Sequence, residues 1–343
     1  MHTTSRILEC VPNFSEGRDS KTINAIADVI RTVNGVHLLH IDSSAAANRT
    51  VMTFAGAPDA VTEAAFRAIR TASELIDMRQ QEGIHPRIGA TDVCPLIPLS
   101  GITMEEAVDY SRQLGERVGK ELNIPVYLYE YSAIAVHRRA LPDIRKGQYE
   151  GLAEKMKLPE WIPDYGKDYN ATKGATVIGA RDILVAFNIS LNSKNIEHAQ
   201  FIALRIRERG YIDKNDGESK HITGLLDKVR AIGWYTQDFN TAQVSMNLLD
   251  YRITSPLKAW ETCNTLANNE GVTLRGCELV GLIPEVCLIE AGTYAYLRER
   301  EEVPQDKLLL VHSGAEYLGL ANIKPFDPQQ QVLEYALHHA GLL

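Results

Sequence analysis

The same succession of apolar segments occurs twice along the 343 residues, and this repetition restricts the fold more than any single motif. Read by period, RILECVPNF is strand-like, and KTINAIADVIRTV places Ile23, Ile26, Ala27 and Ile30 on one helical face. GVHLLHID and RTVMTFAG read as two strands around the polar turn from Ser43 to Asn48. PDAVTEAAFRAIRTASELIDM is a long helix with Pro58 near its start, and TDVCPLIPL is a strand. Strand, helix, strand, strand, helix, strand is the split βαβ unit. A helix, MEEAVDYSRQLGERVGKEL, and a strand, PVYLYEY, extend this half.

The order then returns. VIGARDILVAFNISL reads as a strand, SKNIEHAQFIALRIRERG as a helix, KVRAIGWYT and TAQVSMNLLDY as strands, SPLKAWETCNTLANNEG as a helix and GCELVGLIP as a strand. PEVCLIEAGTYAYLRER and FDPQQQVLEYALHHAGLL read as closing helices. The pattern predicts an α/β (α+β) fold of two ferredoxin-like subdomains, residues 1–175 and 176–343, with a cleft between them, a common location for small-molecule sites. The Pro-, Gly- and charge-rich stretch 141–173 is predicted to be a connection crossing the surface.

A formal net charge of −8 gives no general attraction for nucleic acid or an anionic membrane, so neither is an expected partner. Five cysteines, at 10, 94, 263, 277 and 287, are odd in number and contain no CxxC pair, which points to a reducing compartment and away from a thiol zinc site. The N-terminal MHTTSRILECVPNFSEG lacks the apolar core of a signal peptide. No run approaches the roughly 18 apolar residues of a membrane span, so a soluble, cytoplasmic protein is expected. Nucleotide-binding and serine-hydrolase readings lose support because GxxxxGK[ST], GxGxxG and GxSxG are missing. DKNDGESKHITG has Gly217 one place too early for a calcium loop and Gly224 where a bidentate Glu belongs, so the loop around Asp216 is expected to be polar surface. His40 and Asp42 share a strand face, but no further ligand motif accompanies them, and no metal is expected.

Three polar clusters lie at predicted strand ends. VPNFSEGRD, with Asn13 and Ser15, reads by itself as a turn and helix cap. HIDSSAAANRT ends one strand at Asp42 and starts the next with Asn48 and Arg49, which taken alone is a hairpin turn. EGIHPRIGATDVCPLIP places His85, Arg87 and Asp92 just before an apolar run. Pro86 biases His85 towards an extended conformation and restrains its offset from Arg87. A histidine titrating near neutrality suits proton transfer, and pairing with Asp42 is expected to orient the ring and favour its protonated form. The Arg49 and Arg87 forks are suited to holding a carboxylate bidentately.

ECVPNFSEGRD, NRTVMTFAG, LIDM, GIHPRIGATDVCPLIP, PVYLYEY, GATVIGARDILVAFNISL, IGWY with AQVSMNLLDY, ELVGLIP and PFDPQQQVLEY resemble, in order, the glutamate formiminotransferases (formimidoyltransferases). The likeness runs from about residue 6 to about residue 338. It implies two subdomains with stacked sheets and a positively lined tunnel, a homodimer, and transfer of a formimino group between N-formimino-L-glutamate and (polyglutamyl) tetrahydrofolate in histidine degradation. Tetrahydrofolate is then a co-substrate. Carried across, the family's catalytic histidine falls on His85 and its aspartate on Asp42. Its folate-contacting segment falls on Gly166, Lys167, Asp168, Tyr169, Asn170, Ala171, Thr172, Lys173 and Gly174. Departures are Ile84, in place of an acidic residue, and Lys173, where some relatives carry an aromatic one. A formyl donor, a folate-binding protein without turnover and a metal-dependent formiminoglutamate hydrolase are the alternatives at this stage.

Overall fold

Helical periodicity and capping fix the first elements. Asp19 accepts hydrogen bonds from the amides of Lys21 and Thr22 and so caps α1 (Ser20–Arg31), whose Ile26, Ala27 and Ile30 are fully buried. The computed structural model describes residues 5–213, 219–299 and 302–343. The polar loop around Asp216 lies outside the described residues.

The chain divides into two compact units, residues 1–182 with 337–343, and residues 183–336. In the first, β1 (Ile7–Cys10) and β2 (Asn13–Phe14) are two pieces of one strand broken at Val11 and Pro12, and α1 leads to β3 (Val36–Ser44) and β4 (Arg49–Gly56). There follow α2 (Pro58–Leu75), β5 (Thr91–Ser100), α3 (Met104–Leu122), β6 (Val126–Leu128), α4 (Leu141–Arg145), α5 (Gln148–Lys155) and β7 (Thr176–Ala180). The sheet runs β3, β4, β1 with β2, β5, β7, β6; it is antiparallel as far as β5 and parallel from there on.

Strand pleating decides which face each residue joins. Cys94, Leu96, Ile178 and Ala180 enter the core covered by α1 to α3, whereas Val93, Val177 and Tyr127 join a smaller cluster completed by Ile144 and Leu152 of α4 and α5. The stretch expected to be a surface connection therefore contains two short helices whose apolar residues are pinned to the sheet.

The second unit contains β8 (Val185–Leu191), α6 (Ile196–Ile206), β9 (Tyr211–Asp213), β10 (Lys220–Ile222), β11 (Val229–Thr236), β12 (Thr241–Leu248), α7 (Pro256–Asn269) and β13 (Leu274–Val280). It continues through α8 (Glu285–Glu299), α9 (Lys307–Tyr317), α10 (Pro328–Gln331) and α11 (Leu333–His339). Its sheet order is β11, β12, β8, β13, all antiparallel. The first unit's β3, β4, β1 and β5 follow the same order, so the repeated sequence pattern corresponds to a repeated split βαβ topology.

Two sequence expectations change. VIGARDILVAFNISL is not one strand: β7 joins the first sheet and β8 the second, with the break at residues 181–184. The division of the chain accordingly falls after Asp182 and not after residue 175. PVYLYEY is strand only over β6; Tyr127 and Tyr129 are buried in the core, and Tyr131 is exposed.

Candidate active site

The first unit brings residues from all three polar clusters together around one buried carboxylate. Asp92, the second residue of β5, has no solvent exposure, an arrangement that is costly unless the charge is paired. Its Oδ1 accepts from the Ile88 amide at 3.0 Å, and its Oδ2 accepts from Arg49 Nη2 at 2.6 Å and from Arg145 Nη2. Burial acts to raise its pKa, but the guanidinium groups of Arg145 and Arg49 outweigh it and bring the carboxyl down to about 2.

Arg49 opens β4. Its Nε donates to Asn13 Oδ1 at 2.9 Å, and its Nη1 donates to the Pro86 carbonyl at 3.3 Å and lies 3.0 Å from His85 Nδ1. The β2–β5 register shifts between Asn13 and Phe14. A bulge of this kind beside a site re-aims a side chain. Burial lowers the Arg49 pKa, Asp92 opposes that, and the group comes to about 10, still cationic at neutral pH.

His85 is half-buried, in the loop that enters β5. Burial, Arg49 and Arg145 hold its pKa well below the ordinary 6.5 despite the opposing field of Asp92. This reverses the expectation of a protonated ring. The carboxylate acting on the imidazole is accompanied by two guanidinium groups, so the neutral form is favoured. Nδ1 lies 2.8 Å from the Pro86 carbonyl. That carbonyl only accepts, whereas Arg49 Nη1, 3.0 Å from the same nitrogen, only donates, so either tautomer of the neutral ring finds a partner at Nδ1. Asp42 lies 3.8 Å from His40 Nε2 on the same strand.

Arg87 was expected to hold a substrate carboxylate, but its fork is committed within the protein. Nη2 and Nη1 donate to the two Glu150 oxygens at 2.7 and 2.9 Å, and Nε donates to Gln81 Oε1 at 2.7 Å. The Tyr149 amide also donates to the Arg87 carbonyl at 2.9 Å. Arg87 thus ties the His85 loop to α5.

The remaining turn residues support these. Asn48, with a left-handed φ of 48°, accepts from the Gly17 amide at 2.9 Å and donates to the Glu82 carbonyl at 2.8 Å. Ser15 Oγ donates to the Gly89 carbonyl at 2.7 Å. The turn and cap readings of these clusters are therefore correct as well, because the same turns carry the site.

Residues 166–174 run beside that loop. The Ala90 amide donates to the Lys173 carbonyl, Gly89 bridges Gly174, the Met78 amide donates to the Thr172 carbonyl, and Tyr149 Oη donates to the Ala171 carbonyl at 2.6 Å. Gly174 has a φ of +69°, and a Cβ there would lie 2.2 Å from the Ile88 carbonyl oxygen. Lys173 Nζ donates to the Leu122 carbonyl at the end of α3 at 2.7 Å, and Asn170 Nδ2 donates to the Asn123 carbonyl at 3.2 Å. Lys167, Asp168 and Tyr169 are exposed and Gly166 is half-buried.

Sequence reasoning missed Arg145 and Glu150, which sit in a stretch whose composition signals only a loop. It also left Asp92 without a role. The available signal for Asp92 was a carboxylate directly ahead of a fully apolar strand, which must find a cation if it is buried. Among the described residues, no three His, Cys, Asp or Glu side chains converge as a metal site.

Two family models match the chain: the formiminotransferase domain, N-terminal subdomain, over residues 7–181, and the formiminotransferase domain over residues 186–338. The chain is 44% identical over 340 residues to formimidoyltransferase-cyclodeaminase of Rattus norvegicus, covering 98% of this chain and 61% of that protein. It thus spans less than two thirds of the length of that relative. It is 42% identical to glutamate formimidoyltransferase of Streptococcus pyogenes serotype M1, covering 84% of this chain and 93% of that protein. Identity to the glutamate formimidoyltransferase of Thermoplasma acidophilum is 41%, covering 84% and 91%.

Proposed function

Since the chain belongs to the formiminotransferase family over both of its subdomains, we propose that it is a glutamate formimidoyltransferase, moving the formimino group between N-formimino-L-glutamate and tetrahydrofolate. The observation that carries this reading is His85 set 3.0 Å from Arg49 Nη1, in a cluster where Arg49 and Arg145 both donate to the buried Asp92 carboxylate.

The transferred group is an amidine carbon. Attack by N5 of tetrahydrofolate forms a C–N bond and places a proton to be removed on the attacking nitrogen. The lone pair of the neutral His85 ring takes that proton. The tetrahedral adduct then expels glutamate once its nitrogen is protonated, and the imidazolium returns the proton there, so no net proton is consumed. Such a shuttle contributes about a hundred- to ten-thousand-fold in rate. Arg49 and Arg145 keep the resting ring unprotonated, and Asp92 limits the penalty when it becomes charged.

Asp42 is assigned to the cationic amidine of the donor, and residues 166–174 to the folate. Arg87 is assigned to anchoring the loop, because Glu150 occupies its fork. The reading extends to tetrahydrofolate as co-substrate, a place in histidine degradation and a cytoplasmic homodimer; family membership supports the first two.

The test is an assay of purified protein with tetrahydrofolate and either N-formimino- or N-formyl-L-glutamate, following the folate product optically. Turnover with the formimino donor, lost in a folded His85→Ala variant, is the expected result. Turnover with only the formyl donor, or with neither, overturns the assignment.

A further inference from the structure

Arg145 reaches the site from a weak element. The helix α4 that carries it has five residues, and the hydrogen bonds from Ile144 to the Ala140 carbonyl and from Lys146 to the Asp143 carbonyl are 3.4 Å long. Its guanidinium donates from Nη2 to Asp92, while its buried Nε has no hydrogen-bond partner among the described residues. One contact at the tip of a long side chain does not fix that side chain. Its backbone has to be held elsewhere.

Lys155, the last residue of α5, supplies that hold. Its Nζ donates to the carbonyls of Asp143 at 2.8 Å, Ile144 at 2.7 Å and Lys146 at 3.1 Å, the residues on either side of Arg145. The ammonium also lies 3.7 Å from the centroid of the Trp161 ring, and this cation–π contact adds to its hold. Ile144 and Leu152 are buried in the same small core, which ties α4 and α5 together. We propose that Lys155 is a positioning residue for the transfer reaction, gripping the backbone around Arg145 so that its guanidinium holds Asp92 beside His85. This rests on the transferase reading for its link to turnover. The withdrawal of Lys155 from water agrees with the geometry: burial, with Lys146 adding to it and Asp143 opposing, lowers its pKa to about 8.

The test reads His85 directly. The groups facing its ring are Arg49, Arg145, Asp92 and the Pro86 carbonyl. In NMR titrations of the full chain, Lys155→Met is expected to move the His85 midpoint up towards the ordinary histidine range, as Arg145→Met does. The double variant is expected to match Arg145→Met alone. Turnover falls by about ten- to a hundredfold in kcat, the scale of a small misplacement near the chemistry, and Lys155→Arg recovers most of it. An unmoved His85 midpoint in Lys155→Met, or effects that add in the double variant, overturns the proposal. Should Lys155→Met fail to fold, Lys155→Gln is read in the same way; unfolding of both overturns it too, because Lys155 would then hold the fold and not Arg145. Absence of turnover in the wild type would sink the transferase reading, while the titration would still decide whether Lys155 acts through Arg145.

Discussion

Arg49 donates to the Asp92 carboxylate at 2.6 Å across 43 residues of sequence, with the carboxylate fully buried and the guanidinium nearly so. Removing one member of such a pair leaves the other charge without compensation in a medium that solvates it poorly. Asp92→Asn, which leaves both Arg49 and Arg145 facing a neutral amide, is expected to cost about 3–5 kcal/mol. Urea unfolding curves measure it. A loss under about 1 kcal/mol would mean that water or another carboxylate already compensates these cations.

The pH dependence has a defined sign. His85 has a folded pKa well below the ordinary 6.5, so the unfolded chain takes up its proton first as the pH falls. The stability associated with the neutral ring is complete above 6.5 and is lost as the pH falls from there through the folded pKa. His85→Gln should remove that slope. Asp92, brought from 3.8 to about 2, adds a second loss as the pH falls through that lower window.

Catalysis follows the same titration. Because the resting ring is neutral, kcat/KM is expected to stay level as the pH falls through 6.5, with its acid limb at the lower, folded pKa of His85. An acid limb at the ordinary histidine pKa would show that neither arginine acts on the ring in solution.

Gly89 joins the His85 loop to residues 166–174. A Cβ there would lie 2.1 Å from the Ala175 carbonyl oxygen, a backbone atom that cannot rotate away. Gly89→Ala should destabilise the protein by about 1–3 kcal/mol and weaken tetrahydrofolate binding in a calorimetric titration. Unchanged affinity would dissociate the 166–174 segment from the folate.

Arg87 and Glu150 are not equivalent partners. Glu150 has a side chain 63% exposed against 8% for Arg87, so the ion pair itself is well screened. Glu150→Gln is expected to cost less than about 1 kcal/mol. Arg87→Met also strands Gln81 and should cost more, about 1–3 kcal/mol for the buried hydrogen-bonding group left without its donor. Comparable thermal shifts for the two variants would contradict this ranking.

Local pattern was sufficient for much of the architecture. The apolar spacing of α1, the cap at Asp19 and the repeated order of strands and helices are properties of neighbouring residues, because one face of each element must be buried whatever it packs against. Those rules give the doubled split βαβ topology and bring Asn13, Arg49 and His85 into view as strand-end residues. They do not say which distant cation neutralises a buried carboxylate. Arg145 lies 53 residues from Asp92 in a segment without a periodic signal, and only the packing of Ile144 and Leu152 on the sheet delivers it. The break between β7 and β8 is hidden for the same reason: both strands are apolar, and long-range pairing alone assigns them to different sheets. The sequence by itself determined the elements and the residue types at the site. The tertiary structure decided the charge on His85, because electrostatic fields depend on distance through space and burial, neither of which is written in sequence separation.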